Sequence, residues 1–161
     1  ISFTSESTGL TNKKKLVMKK QNHESSTYWP RLVTPINGFI NWNWTSKQIE
    51  LFIHAFDDPH QGASTFLDGK KIRLKKSRKI SQKNKHHPFQ AGIVFKKNKE
   101  EIFIATNDGD IAIKEVWSLN GKKINDEIKL GYRLHTPYKF LDDALSNHVN
   151  YETIKQSELK K

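Results

Sequence analysis

The sequence predicts a mainly β domain of the α+β class. One amphipathic helix precedes a small barrel of short strands, and a short helix follows it. Short runs alternate apolar and polar residues between turn signals such as Asp-Gly and Asn-Gly. A single stretch with helical periodicity lies ahead of them, and no strand–helix–strand alternation follows. Strand-like runs at this spacing are typical of closed or nearly closed barrels.

The chain has 161 residues, about one domain's length, and can bury a core without covalent or metal staples. It has no cysteine, which excludes disulfide frameworks, thiolate metal sites and cysteine nucleophiles. No apolar run approaches the roughly 18 residues of a membrane span, and no signal peptide is visible. We therefore expect a cytoplasmic location and no membrane partner. Because residue 1 is Ile rather than Met, we expect an excerpt of a longer polypeptide.

The N-terminal segment, residues 1–37, is polar and is predicted to be the end of a preceding domain plus a linker. A helix is predicted over residues 45–57, with Thr45 and Gln48 as a capping box. Pro59 ends it. Its apolar residues fall on one stripe: Ile49, Phe52, Ile53 and Phe56.

Residues 38–150 are assigned to the barrel domain and residues 151–161 to a polar tail. A hairpin is predicted to turn at Asp68-Gly69, with Lys70 to Lys76 as its second strand and residues 77–88 as a loop. Further strands are predicted at 91–95, 102–106, 111–117 and 132–134. A closing helix over residues 138–149 would pack through four side chains: Phe140, Leu141, Ala144 and Leu145.

The net charge is +11, and its excess is confined to one segment. Residues 70–99 hold twelve Lys or Arg and no Asp or Glu. On a strand, Lys71, Arg73 and Lys75 point to one face. Such a row could bind the phosphates of RNA or of a nucleotide, with affinity that depends steeply on salt. It could equally be a solvated face that discourages edge-to-edge strand pairing.

Other residues that could carry chemistry have simpler interpretations. The four tryptophans could stack on bases, but core or domain-interface packing explains them better. His86 and His87 are interpreted as an exposed loop pair, because no carboxylate lies within ten residues of them. Asp57 and Asp58 oppose the helix dipole, so a turn role beside a backbone amide or an arginine is expected. We assign no catalytic residue and no metal ligand.

Several segments together resemble the C-terminal region of the folate-dependent formyltransferases. The resemblance covers residues 28 to about 137, and the order and spacing of the segments carry it. Asn41 departs from that family's usual Asp before Trp, and Phe56-Asp57-Asp58-Pro59 is more similar to relatives that formylate nucleotide-linked amino sugars. The segments are Tyr28-Trp29-Pro30-Arg31-Leu32, Gly38-Phe39-Ile40-Asn41-Trp42, Pro59-His60-Gln61-Gly62-Ala63-Ser64-Thr65, Asn107-Asp108-Gly109-Asp110-Ile111 and Gly131-Tyr132-Arg133-Leu134.

The resemblance implies a barrel like the oligonucleotide-binding (OB) fold. It also implies a non-catalytic C-terminal portion of an enzyme that moves a formyl group from 10-formyltetrahydrofolate to a primary amine. The cofactor and the chemistry would belong to an N-terminal catalytic domain absent from this chain. That domain is the expected partner, a nucleotide-linked amino sugar the preferred acceptor, and a homodimer a further option. The alternatives are a tRNA-binding domain of methionyl-tRNA formyltransferase, a stand-alone nucleic-acid-binding OB-like module and a purely structural module.

The resemblance and the basic stripe together predict two groups of site residues. Tyr28, Trp29 and Arg31 are expected at the junction with the catalytic domain. Six cations are expected to bind the acceptor's phosphates: Lys70, Lys71, Arg73, Lys75, Lys76 and Arg78.

Overall fold

A computed structural model describes residues 23–25, 27, 32–80 and 86–146. Short 3-10 turns lie at His23–Ser25, Pro88–Gln90 and Asn125–Glu127. The helices within these residues are α1 (Thr34–Asn37), α2 (Ser46–Ala55) and α3 (Tyr138–Ser146). The strands are β1 (Ala63–Leu67), β2 (Lys70–Lys79), β3 (Val94–Lys97), β4 (Ile102–Ala105), β5 (Asp110–Ser118) and β6 (Leu134–His135).

The strands form one antiparallel sheet in the order β3-β4-β5-β2-β1-β6. The sheet curls into a half-barrel, and its two edges meet beside β3 and β6. There the backbone N–H of Leu134 donates to the carbonyl of Gly92 at 2.8 Å. Val94 donates to Tyr132 and accepts from Gly131, both at 2.8 Å. The predicted mainly β class, with a helix before and after the strands, is confirmed.

Helix α2 covers β2 and forms as its sequence predicts. The Thr45 side chain accepts from the backbone N–H of Gln48 at 3.3 Å, and the Gln48 side chain accepts from the backbone N–H of Thr45 at 2.9 Å. This capping box satisfies two amide groups that a helix start leaves unpaired. Ile49 and Ile53 are fully buried and join a core that includes Leu74 of β2.

Two sequence predictions need correction. The loop expected over residues 77–88 is wrong at its start, because Ser77 and Arg78 continue β2 and pair with Ile113 and Ala112 of β5. Pairing with a strand distant in sequence overrides the polar composition there. Leu145 was expected to pack, but it is 81% exposed. It lies on the side of α3 that faces away from the barrel.

Some expectations lie outside the described residues. They include most of the predicted preceding segment, the polar tail, and the junction residues Tyr28, Trp29 and Arg31. None of the helices in the described ranges is both long enough and apolar enough to cross a membrane.

Candidate functional site

Strand β2 presents the predicted cations in the predicted alternation. Ile72 and Leu74 are buried in the core, whereas Lys71, Arg73 and Lys75 are half-buried between them. Lys70 is exposed beside the tight turn at Asp68-Gly69, where both residues have positive φ. The tight Asp-Gly turn fixes this register, because φ > 0 at both central residues suits the twist of a hairpin.

Carboxylates from elsewhere in the chain engage three of the six predicted cations. Lys75 pairs with Asp58, which follows α2. The Lys76 ammonium lies 2.6 Å from a Glu115 oxygen on β5. Hydrogen bonds from Lys75 and Lys76 lower the pKa of the Asp58 and Glu115 carboxyls, respectively. These two lysines therefore each have an acidic partner within the fold.

Arg78 makes the third and most directional of these pairs. Its Nε and Nη2 donate to the two oxygens of Glu101 at 2.8 and 2.6 Å, the two-pronged geometry that matches a guanidinium to a carboxylate. The Glu101 residue is only 7% exposed, and the hydrogen bond from Arg78 holds its pKa below the ordinary value. Arg78 therefore neutralises a buried charge.

Lys71 lies against an aromatic cluster. Its ammonium lies 4.5 Å from the ring centroid of Phe39, which stacks on Phe66 and contacts Phe140 of α3. Partial burial lowers the pKa of Lys71, and the nearby charge of Arg73 lowers it further. A cation held over a ring in this way is attracted by the ring's quadrupole.

Arg73 belongs to a different arrangement. It lies directly opposite Trp117 in the β2–β5 ladder, and Trp117 is bridged on its other side to Lys123. Residues directly opposite in antiparallel strands share a face, so Trp117 lies between Arg73 and Lys123 in the register. The Lys123 side chain lines a neighbouring groove, together with Glu115. No ion pair to Arg73, Lys123 or Lys70 forms among the residues the structure describes. We call Arg73, Trp117 and Lys123 the cation–indole row.

A groove of about 420 Å³ runs along this part of the barrel. That volume is within the roughly 300–1,000 Å³ of small-ligand clefts. Trp117 contributes its half-buried indole, whose Nε1 donates to Glu115 at 3.1 Å. The groove is lined by Asp58, Gln61, Arg73, Lys75, Lys76, Glu115, Trp117, Ser118 and Gly121.

Core packing, expected for the tryptophans, describes Trp42 and Trp44. It does not describe Trp117, which lines the groove. Trp42 is buried, with Nε1 donating to the Thr65 hydroxyl at 2.9 Å, and Trp44 packs edge-on against Phe52. Trp117 lines the groove instead. The sequence did carry a signal for this position. Trp117 follows Glu115 by two residues on a predicted strand, so the two side chains share its polar face.

The histidine interpretation is wrong for His86. Its Nε2 lies 2.5 Å from Asp110, which is distant in sequence but buried at the start of β5. His87 is exposed as expected and caps the short turn that begins at Pro88. Within residues 23–25, 27, 32–80 and 86–146, no cluster of three or more metal-ligating side chains occurs.

Comparison with known proteins places this fold in a family. Residues 32–128 match the family described as the formyl transferase C-terminal domain. The chain belongs to this family. The match covers all of β1 to β5 together with α2, and therefore all three members of the cation–indole row.

Curated relatives of the chain are named methionyl-tRNA formyltransferase. The protein from Nitrosomonas europaea is 28% identical over 149 residues, which are 92% of this chain and 45% of the relative. That from Carboxydothermus hydrogenoformans is 32% identical over 70% of this chain and 35% of its own length. A solved structure of HypX from Aquifex aeolicus covers 62% of this chain and 17% of its own, at 22% identity and a TM-score of 0.47.

The chain spans less than half the length of these curated relatives. The formyltransferase resemblance of the sequence is thereby confirmed. The preference for a nucleotide-linked amino sugar gains no support from the relatives named above, whose names specify methionyl-tRNA.

Proposed function

We propose that this chain is the non-catalytic C-terminal portion of a formyltransferase that uses 10-formyltetrahydrofolate. In this role it binds the phosphates of an RNA acceptor and holds the acceptor for a catalytic domain elsewhere in the polypeptide. The acceptor we propose is tRNA carrying a primary amine. The names of the curated relatives support tRNA over a nucleotide-linked sugar.

The cation–indole row is the observation that carries the proposal. Arg73 and Lys123 make no ion pair in the described part of the chain, and the Lys123 charge acts on Glu115 only beyond ion-pair distance. Phosphate contacts release condensed counterions, so cations that are not already paired contribute most to binding a polyanion. Lys75, Lys76 and Arg78 would have to exchange a carboxylate for a phosphate, and they support the site chiefly by fixing its geometry.

We propose that the folate cofactor binds in the catalytic domain, as the resemblance of the sequence to the formyltransferases implies. The groove beside Trp117 is lined mainly by charged and polar side chains, and we assign it to the acceptor. We derive no chemical step through the cofactor.

A titration of the chain with fluorescently labelled tRNA at increasing KCl tests the proposal. We expect binding whose logarithm falls linearly with log salt, as counterion release requires. Arg73→Glu should weaken binding and reduce the slope by about one. Lys129→Glu is the matched control, because it makes the same charge change at an exposed lysine outside the groove.

Two results would overturn the proposal. One is no binding of tRNA at low salt by the folded chain. The other is an equal loss of affinity in Arg73→Glu and Lys129→Glu, which would show that only the total charge matters. Displacement of bound tRNA by a nucleoside diphosphate sugar at equal concentration would instead favour the sugar-nucleotide acceptor.

A further inference from the structure

We propose that Trp117 is a stacking platform for one unpaired base of the RNA, with Arg73 and Lys123 holding phosphates on either side of it. The inference rests on the proposed function and adds to it a specific residue and a specific form of RNA. It makes the site selective for single-stranded over double-stranded segments.

The register of the strands sets the geometry of the platform. Trp117 is the cross-strand partner of Arg73 on β2 and of Lys123 on its other side. Adjacent strands lie about 4.8 Å apart, so the two cations begin on the order of 10 Å apart with the indole between them. Flexible arginine and lysine side chains can then reach the phosphates on both sides of a base that rests on the ring.

The indole of Trp117 is fixed at one edge by a hydrogen bond and is only half-buried. Its Nε1 donates to Glu115 at 3.1 Å, and Glu115 is fixed in turn by Lys76 at 2.6 Å. Among the residues described, no aromatic ring packs against Trp117, whereas Trp44 packs against Phe52. A tryptophan with an anchored edge and no ring partner presents a rigid apolar surface to the groove.

The charge pattern favours a nucleic-acid strand as the occupant. The two carboxylates in the groove, Asp58 and Glu115, are each already paired with a lysine. The two residues that flank Trp117 in the register, Arg73 and Lys123, are both positive and make no ion pair within the described residues, although the Lys123 charge acts on Glu115 beyond ion-pair distance. Alternating cation and ring contacts match a single strand, whose phosphates and bases alternate, and base stacking on aromatic rings is largely independent of sequence.

An abasic competitor tests the platform with the unaltered chain. The affinity of the full chain would be measured for a short labelled oligouridylate and for an oligomer of the same length and charge with abasic sites. Stacking predicts that the base-bearing strand binds between about 5-fold and 150-fold more tightly. Equal affinities for the two strands would overturn the stacking role.

Substitutions test the residue itself. Trp117→Ala should lose the preference for the base-bearing strand, and Trp117→Phe should retain most of it because a phenyl ring still stacks. Neither change should alter binding of a duplex RNA, whose bases are not free to stack. If Trp117→Ala weakens single-stranded and duplex RNA by the same factor, the effect is structural and the platform is wrong.

These experiments separate the two proposals. Suppose that the unaltered chain binds the abasic and base-bearing strands equally and that Arg73→Glu weakens both. This result would support phosphate binding and contradict the stacking role of Trp117. If the folded chain binds none of the RNAs, both the phosphate-binding proposal and the stacking proposal are wrong. An acidic peptide that displaces the oligouridylate as effectively as abasic RNA would assign the groove to general anion binding and overturn the platform.

Discussion

Glu101 is a buried carboxylate whose side chain hydrogen-bonds to one cation. Its two oxygens accept from the guanidinium of Arg78, and a further backbone hydrogen bond ties Asn98 to the Glu101 carbonyl. A buried charge that loses its partner destabilises the folded state more than the pair itself stabilises it. The role of Arg78 in this protein is therefore first structural.

Arg78→Ala should lower the free energy of unfolding at pH 7 by about 1–2 kcal/mol, because it leaves the Glu101 carboxylate unpaired. Solvent around the half-exposed Arg78 keeps the cost at the lower end of the range for charged hydrogen bonds. Urea denaturation of the two chains measures it. The matched control is Lys122→Ala, which removes an exposed 2.8 Å pair with Glu127 and should have no measurable effect.

The same pair has a pH signature. The hydrogen bond from Arg78 lowers the pKa of Glu101 below the ordinary value of 4.5. The stabilisation that this pair provides is therefore fully present at pH values above 4.5. It is lost as pH falls through the folded-state pKa. The difference between the unaltered and Arg78→Ala chains should therefore shrink on acidification. A difference that grew at acid pH would contradict this assignment.

At the scale of residues, the sequence predicted where the cations lie but not what they touch. The period-2 pattern of Ile72 and Leu74 placed Lys71, Arg73 and Lys75 on one strand face. The carboxylate partners of Lys75, Lys76 and Arg78 are 17 to 39 residues distant in sequence and are brought close only by the tertiary fold. Pairing of that kind has no local signal, so the six cations looked equivalent when they are not.

At the scale of elements, local chemistry predicted most boundaries. The α2 helix begins at its predicted cap and the hairpin turns at its predicted Asp-Gly. Asp57, expected to lie beside a backbone amide or an arginine, accepts from the backbone N–H of Lys76 at 2.9 Å. Lys76 itself has a φ of 54°, a left-handed conformation that no local rule assigns to lysine. The end of β2 was missed because its pairing partner is β5.

The seam between the sheet edges depends on one glycine. Gly92 has a φ of 84°, and a Cβ there would collide with the Leu134 carbonyl oxygen. That carbonyl belongs to the residue whose N–H donates to Gly92. The close approach that joins the two edges is therefore possible only without a side chain.

Gly92→Ala should destabilise the chain well beyond the roughly 1–2 kcal/mol of a left-handed alanine, because the seam must also open. Gly121→Ala is the matched control. Gly121 has a φ of 76° but nothing within 4 Å of its added Cβ, so it reports the backbone strain alone. Thermal unfolding followed by circular dichroism compares the two variants, and equal losses would show that the seam does not depend on Gly92.

At the scale of the whole molecule, the fold brings acidic side chains to a segment whose own charged residues are all basic. The segment 70–99 has no acidic residue, yet its Lys75, Lys76 and Arg78 meet carboxylates supplied from outside it. Hydrogen bonds from these cations lower the pKa of the carboxyls of Asp58, Glu101 and Glu115. The stability that they provide is present above the ordinary pKa values of Asp and Glu and is lost as pH falls below them.

The response of stability to salt should therefore change sign with pH. Near pH 7, added KCl weakens the ion pairs slightly, and the urea midpoint should stay constant or fall. At a pH below the lowered pKa values the carboxyls are protonated and the cations repel one another, so added KCl should raise the midpoint by screening. A midpoint that falls with salt at both pH values would contradict this account of the charge distribution.

The contact between α1 and α3 has a consequence for connectivity. The Asn37 side chain donates to the Ala144 carbonyl at 3.1 Å, and Phe39 contacts Phe140 with ring centroids 5.0 Å apart. The first and last described helices of the barrel are therefore neighbours. Such a unit can be spliced into a host polypeptide, or circularly permuted at an exposed turn such as Gly121, without pulling the strands apart.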